Sequence, residues 1–211
     1  MAKIINLVQP SRPFPPQALG IVDDFAPDQD GLGAWARKMF IDEDGPLCNP
    51  RHEHLRNATI GWLWTTAECS NRDRMVAGEC QLVAPPQRKW GSARSAWQLR
   101  QWFGDLPDFI ITISAPFAAQ ADDWSFCALI EHELCHAAQD VDPFGMPRFG
   151  NEGQPLFRMV AHDVEEFNDV VERYGARATG VEAMVRLANA GPTIGLAQMA
   201  VACGSCGGRM A

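Results

Sequence analysis

The stretch Leu129-Ile130-Glu131-His132-Glu133-Leu134-Cys135-His136-Ala137-Ala138 decides how the rest of the chain is read. It sets the pattern His-Glu-x-x-His inside an otherwise apolar run. On a helix, residues four apart stand one above the other on a single face. His132 and His136 can therefore offer two imidazole nitrogens to one zinc ion, about 2.0–2.1 Å from each. Glu133 points about 100° round the helix and is placed instead to act on a water held at the ion, which is the arrangement of the metalloprotease motif. The uncharged flanks suit a helix buried in a core. A buried helix with two incidental histidines is the plain alternative, and the remainder of the chain weighs against it.

Upstream, three segments carry strand composition: Ala58–Thr65, Met75–Val83 and Asp108–Ala115, each rich in β-branched or aromatic residues and bounded by turn or proline signals. A helical pattern covers Leu32–Ile41. A second covers Lys89–Gly104, whose Trp90, Trp97, Trp102 and Phe103 read as packing residues. Asp122 or Asp123 caps the motif helix, which is expected to run to about Gln139 with Phe126, Ile130, Leu134 and Ala137 as its buried stripe. The order strand, strand, strand, motif helix predicts an α+β fold. In it a small mixed or antiparallel sheet packs against the His-Glu-x-x-His helix, and a second helix completes the metal site. A substrate in extended form could then pair with the sheet's edge as an added strand.

Catalytic zinc takes three protein ligands and keeps one open position. Asp140–Pro155 is a turn-rich connection long enough to reverse the chain, and a second helix is expected over Phe157–Tyr174, stopped by Gly175. Val164, Phe167, Val171 and Tyr174 form its apolar stripe, which makes Tyr174 a core residue. His162, Glu166, Asp169 and Arg173 fall opposite, with Glu165 at the edge. His162 is the first choice for third ligand, as the one histidine downstream of the motif. Glu165 is the alternative, because Glu165 and Asp169 spell Glu-x-x-x-Asp, which supplies a ligand and a carboxylate partner in one class of zinc peptidases. Glu166 could accept the second imidazole proton of a ligand, with Asp169 as a further carboxylate around the site. Arg173 and Tyr174 are candidates to hold a developing oxyanion.

Other clusters are weaker. His52 and His54, two apart in a segment read as extended, are too few for a second metal and read as hydrogen-bonding or surface residues. Cys203-x-x-Cys206 is half a zinc site; it would need partners such as Cys69 and Cys80, and a flexible tail is the preferred reading. Hydrophobic residues at 46% and charged residues at 21% fit an ordinary globular protein. A net charge of −8 argues against a broad nucleic-acid surface. No run reaches membrane-spanning length, the proline-rich start does not read as a signal peptide, and seven scattered cysteines suggest free thiols in a reducing cytoplasm. The chain divides into a proline-rich arm (1–31), a catalytic domain (32–175), and helical segments with a Cys/Gly-rich tail (176–211).

The run Trp35–Phe40, Asn49-Pro-Arg-His-Glu-His-Leu55, Trp102-Phe-Gly-Asp-Leu-Pro-Asp108, Cys127-Ala-Leu-Ile-Glu-His-Glu-Leu-Cys-His136 and His162-Asp-Val-Glu-Glu-Phe167 together resemble a phage metallopeptidase family over about Gly33–Gly175. The resemblance implies a zincin-like peptidase fold and a phage or prophage origin but little about substrate; a polypeptide substrate is what the peptidase reading expects. The leading expectation is zinc-dependent peptide hydrolysis with Glu133 as general base. Two readings compete. One is a phage protein that binds a host or virion protein, with a structural zinc closed by His132, His136, His162 and Glu165. The other is a metal-dependent hydrolase of non-peptide substrates.

Overall fold

The computed structural model describes residues 12–29, 31–71, 74–85, 87–164, 168–194 and 202–203. In chain order, strand β1 (Phe25–Pro27) precedes helix α1 (Leu32–Ala36), which continues as a π-helical turn (Arg37–Ile41), and then a 3-10 helix (Pro50–Asn57). Strands β2 (Ile60–Thr65), β3 (Ser70–Asn71) and β4 (Arg74–Leu82) follow. Next come helix α2 (Trp90–Phe103), strand β5 (Phe109–Ser114), and helices α3 (Ala115–Gln120) and α4 (Asp123–His136). Strands β6 (Ala137–Gln139) and β7 (Phe157–Met159), helices α5 (Asn168–Ala178) and α6 (Glu182–Ala190), and strand β8 (Ala202–Cys203) complete the order. The three expected strands are β2, β4 and β5, and the molecule is a mixed α+β fold.

The sheet runs β1-β2-β5-β4-β3, with β8 added on β4. β2 and β5 are parallel, Ile60 opposite Phe109 and Thr65 opposite Ser114. A parallel strand buried on both faces needs a near-continuous apolar run, and β5 supplies one in Phe109, Ile110, Ile111 and Ile113, all buried. β4 runs antiparallel to β5, Gly78 opposite Ile113 and Leu82 opposite Phe109. Trp64 and Phe126, both fully buried, stack with ring centroids 6.4 Å apart, and Trp35 meets Phe126 at 5.6 Å. These contacts seat the motif helix on the sheet. Each such side chain contributes roughly 1.5–3 kcal/mol through burial.

The proline-rich segment is tied to this core. β1 pairs antiparallel with β2. Buried Arg12 donates to the Asp123 carboxylate and to the Ala118 and Ala121 carbonyls, and its guanidinium lies 4.8 Å from the Phe126 ring.

Four expectations change. The motif helix ends at His136 rather than near Gln139, because Ala137 turns extended (φ −89°, ψ 114°) and starts β6. The segment with His52 and His54 is a 3-10 helix, capped by the Asn49 side chain that accepts from the Arg51 N–H. Trp90 and Trp97 are 94% and 61% exposed, so they are not packing residues, whereas Phe103 does pack, against Gly61. Finally, residues 202–203 form a strand rather than part of a loose tail. Among the described residues no helix is long and apolar enough to cross a membrane.

His52 is buried, its Nε2 has no hydrogen-bond partner among the described residues, and its pKa falls from 6.5 to about 4 through desolvation and then the nearby His54. The folded state therefore keeps this imidazole neutral, while the unfolded chain takes up a proton below about pH 6.5. Its effect on stability is nil above that pH and grows as pH falls towards 4. Between pH 7 and pH 4 wild type should lose on the order of 3 kcal/mol more unfolding free energy than His52→Leu, at about 1.4 kcal/mol per pKa unit. Urea denaturation of the metal-free proteins across that range checks this, and parallel pH profiles would refute it.

Candidate metal centre

The site begins at Asp122, whose carboxylate accepts from the Trp124 and Ser125 N–H groups and starts α4. Ten and fourteen residues later the helix presents His132 and His136 on one face, ring centroids 5.0 Å apart. Asn49 donates to the Glu131 carboxylate at 2.9 Å, and a ring nitrogen of His54 meets the Ala137 carbonyl at 2.8 Å. These bonds pin the 3-10 helix against the end of α4, and His54 is there a hydrogen-bonding residue rather than a ligand.

The third histidine arrives by strand pairing. β6 continues directly from α4 and pairs antiparallel with β7, Ala137 opposite Met159. The Val160 N–H donates to the His136 carbonyl at 2.9 Å, and Val160's own carbonyl lies 2.6 Å from His136 Nδ1. An Nδ1–H donated to that carbonyl makes Nε2 the nitrogen that would carry the lone pair for a cation. Two residues beyond Val160 stands His162. Its Nε2 is 3.1 Å from His132 Nε2, which is in turn 3.3 Å from His136 Nε2.

A tetrahedral ion with M–N bonds of about 2.0–2.1 Å places its ligand nitrogens about 3.3–3.4 Å apart, so the histidine spacing fits such an ion. The three ring nitrogens form a cluster able to hold a metal, from buried His136 through half-buried His132 to exposed His162. Glu133, on the same helix, is fully buried.

The expected second helix is corrected here. Residues Phe157–Met159 are strand, His162 lies on the irregular segment after it, and the helix starts only at Asn168. Pairing with β6 takes these residues out of any helix. Glu165 and Glu166 lie outside the described residues. Asp169 falls within α5, its side chain outside those described. Tyr174 is 65% exposed, not core, with the Arg173 guanidinium 5.8 Å from its ring. Gly175, at φ 83°, breaks the helix where expected. Cys69 is exposed and Cys80 buried, while Cys206 lies outside the described residues.

One site residue had a readable signal. A Cβ at Gly78 of β4 would sit 2.9 Å from Glu133 Oε1 and 3.0 Å from Leu129 Cδ1, and a glycine inside a strand pattern marks just such a close approach. The Val160 carbonyl had none, because any residue supplies one.

The model of the family described as "Putative phage metallopeptidase" matches residues 33–189, well over half of the chain. No curated protein and no solved structure matches it.

Gly78→Val forces bulk against two buried side chains and should cost about 1–3 kcal/mol of stability. The three histidines are untouched, so metal content after dialysis should stay near wild type. Urea denaturation with metal analysis tests both, and undiminished stability would show that Glu133 and Leu129 can give way.

Proposed function

This chain belongs to the Putative phage metallopeptidase family, and from that premise we propose that it is a zinc-dependent, zincin-like peptidase hydrolysing polypeptide substrates in the host cytoplasm. A metal ion follows from the family, and a cluster of three histidines is present. The observation that carries the choice of zinc is the spacing of the three Nε2 atoms, 3.1 and 3.3 Å along the chain of contacts. All-imidazole ligation is compatible with zinc among the divalent ions and unlike the oxygen sites that magnesium and calcium take.

When bound, zinc supplies Lewis acidity, polarising a carbonyl and bringing the pKa of water towards about 7. His132, His136 and His162 would hold it. The Val160 carbonyl keeps the His136 ring in one tautomer and orientation. Glu133, on the next residue of the helix from His132, takes the proton of the attacking water and passes it to the leaving amine. Its burial keeps bulk water from that carboxylate. The exposure of His162 supports an accessible site, as hydrolysis requires and a closed structural shell does not.

Glu133→Gln should retain zinc while cleavage falls by about 10²–10⁴-fold, the usual worth of a general base. A proteomic cleavage screen of wild type against this variant, with metal analysis of both, measures it. Zinc retained by a wild type that cleaves nothing would favour the binding-protein reading.

Removing the third ligand should release the metal. His162→Ala is expected to lose far more zinc on dialysis than Glu165→Ala, and the reverse order would hand the ligand role to Glu165.

A further inference from the structure

β4 is the strand whose backbone passes beside the proposed base, since a Cβ at Gly78 would lie 2.9 Å from Glu133 Oε1. One edge of β4 is taken by β5 through Gly78–Leu82. The other carries the β3 hairpin at Arg74 and Met75, and then, over Val76–Gly78, the chain's own Ala202 and Cys203 in parallel register. Cys203 thus pairs with the very residue that abuts Glu133. After α6, Ile194 packs against the main hydrophobic core.

The Val76 N–H donates to the Cys69 carbonyl, so an extended polypeptide laid beside Glu133 along β4 would use the outward groups at Gly78, where Cys203 pairs. A sheet edge offers one row of such groups, so it accepts one strand at a time. The C-terminal segment and an added strand at this place exclude one another.

We propose that β8 (Ala202–Cys203) is a built-in, displaceable competitor for the β4 edge, occupying the place where a polypeptide substrate pairs next to Glu133. The inference deepens the peptidase reading and rests on it for the identity of the displaced strand. A two-residue bridge binds weakly, but a tethered segment acts at an effective concentration of the order of millimolar. If the free segment binds with a dissociation constant of about 0.1–1 mM, the tether raises the apparent KM for substrate by roughly two- to tenfold. The device damps the site and does not shut it.

The test is made in the full chain with Ala202→Pro, which removes a backbone N–H from β8. Two readouts are taken. First, for peptides that the protein cleaves, KM should fall two- to tenfold with kcat unchanged. Second, in a Glu133→Gln background, a fluorescein-labelled synthetic peptide of residues 198–211 should bind the Ala202→Pro protein at least twofold more tightly by anisotropy. Hydrogen exchange at the Gly78 amide should be faster in the variant and slow again when the peptide is added, while the Val76 amide, which donates to the Cys69 carbonyl, should not change. The binding arm does not depend on cleavage. Tighter peptide binding with restored protection supports the shared edge even if no substrate is ever cleaved, in which case it is the peptidase reading that fails. Equal peptide binding by both proteins, or an unchanged KM in an enzyme that does cleave, overturns the proposal.

Discussion

The site depends on one reciprocal contact, in which the Val160 N–H meets the His136 carbonyl and the Val160 carbonyl meets His136 Nδ1. The last residue of α4 has a carbonyl with no acceptor role inside the helix, and Val160 satisfies it. The same residue, the first beyond β7, then fixes the imidazole that the helix presents. Because β6 grows straight out of α4, the pairing of Ala137 with Met159 brings the returning chain back in a set register. His162 follows two residues later and reaches His132. The metal centre is thus a consequence of how a helix end is capped by a strand.

This explains which parts were legible in the sequence. His132, Glu133 and His136 needed only the helical repeat, and β2, β4 and β5 needed only their composition and the proline and glycine residues around them. His162 was legible as a residue type but not as a position on the chain. Phe157, Val160, Val164 and Val171 recur at three-, four- and seven-residue steps, which is a helical spacing. What overrides it is a partner strand more than fifteen residues away, and local periodicity carries no trace of such pairing. Trp90 and Trp97 went astray for a related reason. Spacing puts them on one side of α2 but does not say whether that side meets protein or water.

Burial across the cluster is uneven, and the unevenness follows from the same construction. Glu133 and His136 sit on a helix that Phe126, Ile130 and Leu134 seat on the core, and both are buried with it. His162 hangs on an irregular segment whose nearest fixed points are the β7 pairing and the Val160 contact. A cation bound by all three links a helix held by the core to the irregular segment beyond β7. Two residues placed by helix geometry and one placed by pairing also keep one side of the cluster open to solvent, which a site that admits substrate requires.

Gly78 joins this centre to the sheet. Any larger side chain there would meet Glu133 and Leu129, so the absence of a Cβ lets α4 approach β4 closely. The cost is conformational freedom lost by a glycine within a strand. In return the β4 backbone becomes the stretch of sheet nearest the proposed base, and its outward hydrogen-bonding groups become the natural place for an extended chain. That the C-terminal β8 pairs at this glycine is therefore no accident of a sticky edge elsewhere on the molecule. The close approach that seats Glu133 also makes the adjoining edge a place where extended chains compete.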